Sequence, residues 1–293
     1  MALRFDLQSH STHSDGELSA AGVVEAAADA GVELLALSDH DTVSGVSEAI
    51  AAGQRAGVQV VSAVEISAID SDARDPRELH ILGYDIDHAG AALSEKLAAF
   101  LADREQRTLR MAAALEELGF ELDEQDISAR IARGQPIGRP HLAEAVLGAS
   151  ANAQRLAAES IDDVGSLIRA YLIEGRPAFR LRGTPTVAEA IDAIHDAGGV
   201  AIWAHPFWDI SDADEVLATV ERFHALRIDG VEAFYITHTR EQTQLLAERC
   251  AELELLSTGS ADFHGPGNRL FSRFLAFDTY GLTPQLGPIG SSG

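Results

Sequence analysis

Seven short apolar runs, most of them separated by stretches of helical periodicity, set the tightest limit on what this chain can fold into. They are LRFDLQ (3–8), LLALSD (34–39), QVVSAVEIS (59–67), ELHILGYDI (78–86), GVAIWAHP (199–206), DGVEAFYI (229–236) and LELLSTGSADF (253–263). Between the first two lies SAAGVVEAAADAG (19–31), a helix with Ser19 as N-cap and Gly31 as stop. VSEAIAAGQRAG follows the second run in the same way. Strands alternating with helices imply a parallel sheet, because each helix carries the chain back to the edge where the next strand begins. The hydrophobic fraction of 46% over 293 residues supplies a sizeable core. The expected class is α/β, with the seven strands closed into a barrel.

The alternation breaks once, between the fourth and fifth runs. AALSEKLAAFLADREQRTLRMAAALEELGF (91–120) is one long helical pattern, and RPHLAEAVL (139–147) and DDVGSLIRAYLIEG (162–175) are further helices. These predict a barrel built from residues 1–94 and 177–285, a helical insertion over 95–176, and a mobile tail over 286–293.

Charge and cysteine content remove several classes of function. The balance of 22 Lys+Arg against 46 Asp+Glu leaves a net charge of −24, which argues against long nucleic acid as a partner. A small phosphorylated ligand remains open if bound metal ions supply local positive charge. The single cysteine, Cys250, cannot form an intrachain disulfide and suits a reducing cytoplasm. No basic-then-apolar leader opens the chain and no apolar run is long enough for a membrane span, so a cytoplasmic protein without a membrane partner is expected.

The chemistry gathers where the strands end. The first ends in Gln8, His10 and Asp15, the second in Asp39 and His40; the third carries Glu65 and the fourth His80. The fifth ends in His205, and the seventh in Asp262 and His264. In a parallel barrel these ends share one mouth, so residues far apart in the chain converge. A single histidine at a strand end more often serves structure. Five of the 11 histidines at such positions, mixed with carboxylates, instead describe ligands for divalent metals. Asp39 is expected to support its neighbours rather than to ligate. His195 and His224 fall in helical stretches, His88 falls in a loop, and His13 is expected to be an exposed loop residue.

The motifs DLQSHSTHSDG, SDHDT, VEIS, HILGY, WAHP and GSADFHG, in this order, resemble those of the PHP (polymerase and histidinol phosphatase) superfamily. That resemblance implies a distorted (β/α)7 barrel with two or three divalent ions, commonly manganese, zinc or iron. It implies one ion on His10, Glu65 and Asp262 with the residue at position 8. A second would share Glu65 and add His80 and His205, and a third would use Asp15, His40 and His264. Glu65, His205 and Asp262 would then form the catalytic centre, and a metal-bound hydroxide would attack a phosphate ester. Three divalent ions against three ligand carboxylates would leave the pocket positive enough to attract an anion.

Position 8 departs from the family pattern, which opens on a His-x-His pair. Gln8 shares a strand face with His10 and so stands in a ligand's place. It could ligate through its amide oxygen, favouring manganese or magnesium over zinc. It could hydrogen-bond a metal water, the reading favoured here, or the position could be empty and the centre dinuclear. The insertion carries a second clue in IGRPHLAEAVL (137–147), where Pro140 suits a first helical turn and Arg139 could bind phosphate through its planar fork. A similar GRPH segment marks a subgroup of nucleoside-phosphate phosphatases and 5′-to-3′ exonucleases acting on short oligoribonucleotides. The resemblance therefore implies Arg139, His141 and His238 as substrate-binding residues. The expected activity is hydrolysis of a phosphate ester of a nucleoside 5′-monophosphate, a 3′,5′-bisphosphate or a short oligoribonucleotide. The alternatives are a histidinol-phosphatase-like monoesterase and a degenerate, non-catalytic module.

Overall fold

The computed structural model describes residues 3–74, 76–123, 125–133, 137–181 and 183–291. Seven strands form one sheet in sequence order: β1 Phe5–Asp6, β2 Leu34–Leu37, β3 Gln59–Asp70, β4 Arg77–Tyr84, β5 Val200–Trp203, β6 Gly230–Tyr235 and β7 Leu256–Ser260. The two edges meet through backbone hydrogen bonds. Leu7 N donates to Gly259 O at 3.2 Å, and His10 N to Phe263 O at 2.8 Å, so the sheet curls into a barrel.

Helices α1 (Ala20–Ala30) and α2 (Val46–Ala56) connect the first three strands. The Ser19 side chain accepts from Gly22 N at 3.1 Å to open α1, and Gly31 ends it with φ 78°. Val23, Val24 and Ala27 of α1 and Ala49 and Ala52 of α2 pack with Leu35 and Leu37 of β2. The barrel interior is filled by Leu7, Ala36, Ala63, Leu82, Ile202 and Ala204.

The sheet is not wholly parallel. The pairs β1–β2, β2–β3, β5–β6 and β6–β7 are parallel, but β4 runs antiparallel to both β3 and β5. Sequence periodicity reports which residues face inward and carries no sign of strand direction. Here β3 turns straight back into β4 with no crossover helix between them. His80 therefore lies in the first half of its strand, paired with Ser67, rather than at its end. The far end of β4, at Tyr84, pairs with Ala63 and Val200, away from His80. The chain thus leaves β4 at the end opposite to His80.

Between β4 and β5 come α3 (Ala91–Glu117), α4 (Gln125–Ala132), α5 (Arg139–Gly148), α6 (Ala153–Ala158), α7 (Val164–Leu167) and a short π-helix, Ile168–Leu172. Residues 99–184 form a compact unit of their own, and residues 1–98 with 185–293 form the other. The helical unit has its own core, including Met111, Leu115, Leu142, Val146 and Leu172. The second half of the barrel unit adds α8 (Val187–Asp196), α9 (Pro206–Asp209), α10 (Ala213–Ala225) and α11 (Arg240–Glu252). Of the tail expected to be mobile, residues 286–291 are instead held, and 292–293 lie outside the described residues. Ile289 is buried, and Gly290 N donates to Asp85 Oδ2 at 3.0 Å. Among the described residues no helix is long and apolar enough to cross a membrane.

Candidate metal centre

The loop after β1 is shaped around Asp39. Its carboxylate accepts from Ser11 N at 2.7 Å, Ser11 Oγ at 2.7 Å and Ser14 Oγ at 2.6 Å. Gly16 closes the turn. A Cβ there would lie 2.1 Å from the His10 carbonyl oxygen, so no side chain fits. The turn sets Asp15 back over the barrel, with its oxygens 3.8 Å from His10 Nδ1, 3.7 Å from His40 Nε2 and 3.7 Å from His264 Nε2. His264 donates its Nδ1 proton to the Asp262 carbonyl at 2.7 Å, which leaves Nε2 as the free lone pair.

Glu65, fully buried on β3, is the hub. Oε1 faces His80 Nδ1 at 2.7 Å and His205 Nε2 at 3.2 Å. Oε2 faces His10 Nε2 at 3.1 Å and His40 Nδ1 at 3.5 Å. One carboxylate thus presents each oxygen to a different pair of imidazoles, which is the arrangement a bridging ligand needs. Asp262 completes this side, its Oδ1 lying 3.0 Å from His10 Nε2 while its Oδ2 accepts from the Tyr235 hydroxyl at 2.8 Å. His205 and Asp262 both sit in the left-handed region, at φ 32° and φ 53°. For non-glycine residues that costs of order 1–3 kcal/mol each, and such strain concentrates at functional sites.

Whether these residues suit metal ions can be judged from their unmet polar atoms. His10 Nε2, His40 Nδ1 and Asp262 Oδ1 are buried and make no hydrogen bond. Buried polar atoms normally have partners, and divalent ions would serve as theirs. Burial lowers His40 to about 3, so its imidazole is neutral and its lone pair available. His10 behaves oppositely. Burial alone would lower it, but the Asp262 and Glu65 carboxylates, 3.0 and 3.1 Å from its Nε2, hold it well above its ordinary value. The two carboxylates stabilise positive charge at that point. Among the described residues three donor groups have ligand atoms within 4.8 Å of one another: His10, Asp15, His40 and His264; His40, Glu65 and His80; and His10, Glu65 and Asp262. In the second group His40 stands where sequence resemblance implied His205, although His205 Nε2 also lies 3.4 Å from His80 Nδ1.

Gln8 is 1% exposed and points into this cluster. Its Nε2 donates to Glu65 Oε2 at 3.0 Å, and its Oε1 accepts from Ser260 Oγ at 3.3 Å. In this orientation the amide steadies Glu65 and turns its oxygen toward Ser260. His13 belongs to none of the donor groups and is partly exposed, its ring lying next to Gly45. His195 pairs with Asp229 Oδ2 at 2.8 Å, and His88 meets Ser47 at 3.2 Å. His238 is buried with its Nδ1 proton given to Ala233 O at 3.1 Å, and burial lowers it to about 4. Arg139 and His141 begin α5 in the helical unit. His141 is buried, with Nδ1 accepting from Gly138 N at 3.1 Å.

Sequence reasoning missed two buried carboxyls beneath the cluster. Asp6 accepts from Ala261 N and Leu275 N at 2.9 and 2.8 Å, and burial pushes it up to about 7. Glu232 accepts from His205 N at 2.9 Å and Ser260 Oγ at 2.6 Å, and burial pushes it up to about 8. The signal was present: Asp6 shares the face of Gln8 and His10, and Glu232 is a lone charge inside an apolar strand.

This geometry can be set beside known proteins. The PHP domain model matches residues 6–202. The chain belongs to the PHP domain family. A 5′-3′ exoribonuclease of Haemophilus influenzae is 32% identical to this PHP protein over 91% of this chain and 92% of its own length. A 3′,5′-nucleoside bisphosphate phosphatase of Chromobacterium violaceum is 30% identical over 89% of this chain and 87% of its own. Among solved structures, an amidohydrolase from Chromobacterium violaceum with bound sulfate and no metal has a TM-score of 0.78 at 29% identity, covering 92% of this chain and 90% of that one. The PHP protein described here is a metal-dependent hydrolase of phosphate esters.

Proposed function

We propose that this PHP protein hydrolyses a phosphate ester of a small nucleotide: a nucleoside 5′-monophosphate, a 3′,5′-bisphosphate or the end of a short oligoribonucleotide. The observation that carries the reading is the split environment of Glu65, with two imidazoles on each oxygen. The relatives that act on nucleoside bisphosphates and RNA support the substrate class. Ions held by His10, Asp15, His40, Glu65, His80, His205, Asp262 and His264 would activate water and offset phosphate charge. Two or three ions, of manganese, zinc or iron, suit these nitrogen and oxygen donors. Glu65 is held by Gln8, Asp262 by the Tyr235 hydroxyl and the Asp15 loop by Asp39, so the donors keep their positions as charge redistributes during reaction. Arg139 and His141 supply phosphate-binding chemistry, and His238 carries a bare Nε2 suited to accepting a hydrogen bond. The lone Cys250 and the absence of basic stretches suited to long nucleic acid support a cytoplasmic enzyme of small substrates.

The test is turnover on a panel after metal analysis: a nucleoside 5′-monophosphate, a 3′,5′-bisphosphate, a 5′-phosphorylated trinucleotide, histidinol phosphate and an aryl phosphate. Preference for the nucleotides is expected, and Arg139→Ala should lower kcat/KM on them about ten- to hundredfold with metal content unchanged. Preference for histidinol phosphate would replace the substrate class, and metal-loaded protein inert on every ester would point to a non-catalytic module.

A further inference from the structure

The protein has two tryptophans, and they lie in opposite environments. Trp203 on β5 is fully buried against Phe223. Trp208, five residues later on α9, leaves 51% of its surface in water. An indole so exposed forgoes the burial that normally holds large aromatic side chains in place. Its backbone is nevertheless fixed in position. Trp208 N donates to His205 O at 2.8 Å, and Ile210 anchors the end of α9 in the core.

Trp208 is also joined to the metal centre through rings. Phe271 meets it at 5.5 Å with planes 63° apart, and Tyr235 at 6.4 Å with planes 73° apart, so neither ring lies flat on the indole. On their inner sides Phe271 reaches the His264 ring at 5.3 Å and Tyr235 reaches the His205 ring at 5.3 Å. The indole therefore stands one aromatic ring outside two of the candidate metal-binding histidines. Leu270, beside Phe271 in sequence, is 42% exposed and extends the apolar rim.

We propose that Trp208, backed by Phe271, is the platform on which the base of a nucleotide stacks while its phosphate reaches the metal centre. This rests on the nucleotide reading above and names the part of the barrel unit that would recognise the base. Ions held by these donors would bind phosphate whatever it is attached to. The exposed indole would distinguish an ester with a flat π-system from one without. Stacking is tolerant of base identity, so selection for the presence of a base, with little choice among bases, is expected.

Two measurements test it. In the metal-loaded protein, adenosine, which carries no phosphate, should quench tryptophan fluorescence; Trp203 is buried, so the change reports on Trp208. The ratio of kcat/KM for adenosine 5′-monophosphate over ribose 5-phosphate should fall roughly five- to 150-fold in Trp208→Ala and largely recover in Trp208→Phe. Quenching by adenosine in a protein that hydrolyses no ester would overturn the functional reading and leave the platform standing. An unchanged ratio in Trp208→Ala, or equal losses on both esters, would overturn the platform.

Discussion

Replacing Asp39 by alanine should loosen the loop that carries His10 and Asp15, and the cost can be worked from three bonds. The Asp39 carboxylate takes the Ser11 amide and hydroxyl and the Ser14 hydroxyl, all at 2.6–2.7 Å, and all three residues are buried. A buried donor left without an acceptor costs about 1–3 kcal/mol. The Ser11 amide is fixed and incurs that cost in full, whereas the two hydroxyls can rotate toward other acceptors, so about 3–5 kcal/mol is expected for Asp39→Ala. Asp39→Asn keeps one acceptor oxygen, and the Ser11 hydroxyl can reverse to accept from the amide, so roughly 1–2 kcal/mol is expected there. Urea unfolding of chelator-treated protein, followed by tryptophan fluorescence, isolates the effect because Trp203 and Trp208 both lie in the barrel unit. With m near 2–3 kcal/mol/M, the midpoint should drop by about 1–2.5 M in Asp39→Ala. Metal content, measured separately, should fall with the loss of the Asp15 group. A midpoint within about 0.3 M of wild type, with metal content intact, would show that Asp39 does not hold the loop.

Three further outcomes follow from the same geometry. Glu65→Ala should remove at least one ion and abolish turnover while far-ultraviolet circular dichroism stays native; full occupancy with normal turnover would contradict its place as the hub. Gln8→His should raise zinc content, read by anomalous scattering at the zinc edge, because imidazole is a stronger ligand than a side-chain amide; unchanged occupancy would put position 8 outside the ligand set. Cys250 is buried and its thiol is pushed up to about 12, so at pH 8 it stays protonated and should react with a disulfide reagent only after denaturation. Rapid labelling of the native protein would contradict this.

Much of this was legible beforehand, for identifiable reasons. The seven strands and their helices follow from apolar periodicity, and the convergence of His10, Glu65, His205 and Asp262 follows from where those runs place them; His80, in the first half of its run, reaches the same end only because β4 is reversed. The direction of β4 does not show in its alternation of faces, but it was legible in the short polar link between QVVSAVEIS and ELHILGYDI, which has no room for the crossover helix a parallel pair needs. Asp6 and Glu232 were missed because a single carboxylate in a short strand looks like a solvent-facing residue until closure of the barrel buries it. Asp39 could be separated from the ligands because it adjoins a better one, His40. Trp208 carried no mark of its special position, since an aromatic pair beginning a helix usually packs inward.

The reversed strand also divides the assembly of the centre in time. The β3–β4 pair is a hairpin, and it brings Glu65 near His80 with few intervening residues. Such local pairing closes a short loop and is fast. His10 and Asp262 meet only when β1 joins β7, at nearly the full separation of the chain. On a ribosome, β1 therefore waits with an open edge until the last strand has emerged, and an unpaired edge is where chains pair wrongly. The group of His10, Glu65 and Asp262 is therefore completed only once β7 has joined β1, later than the group of His40, Glu65 and His80, whose residues lie close together in sequence and meet with the hairpin.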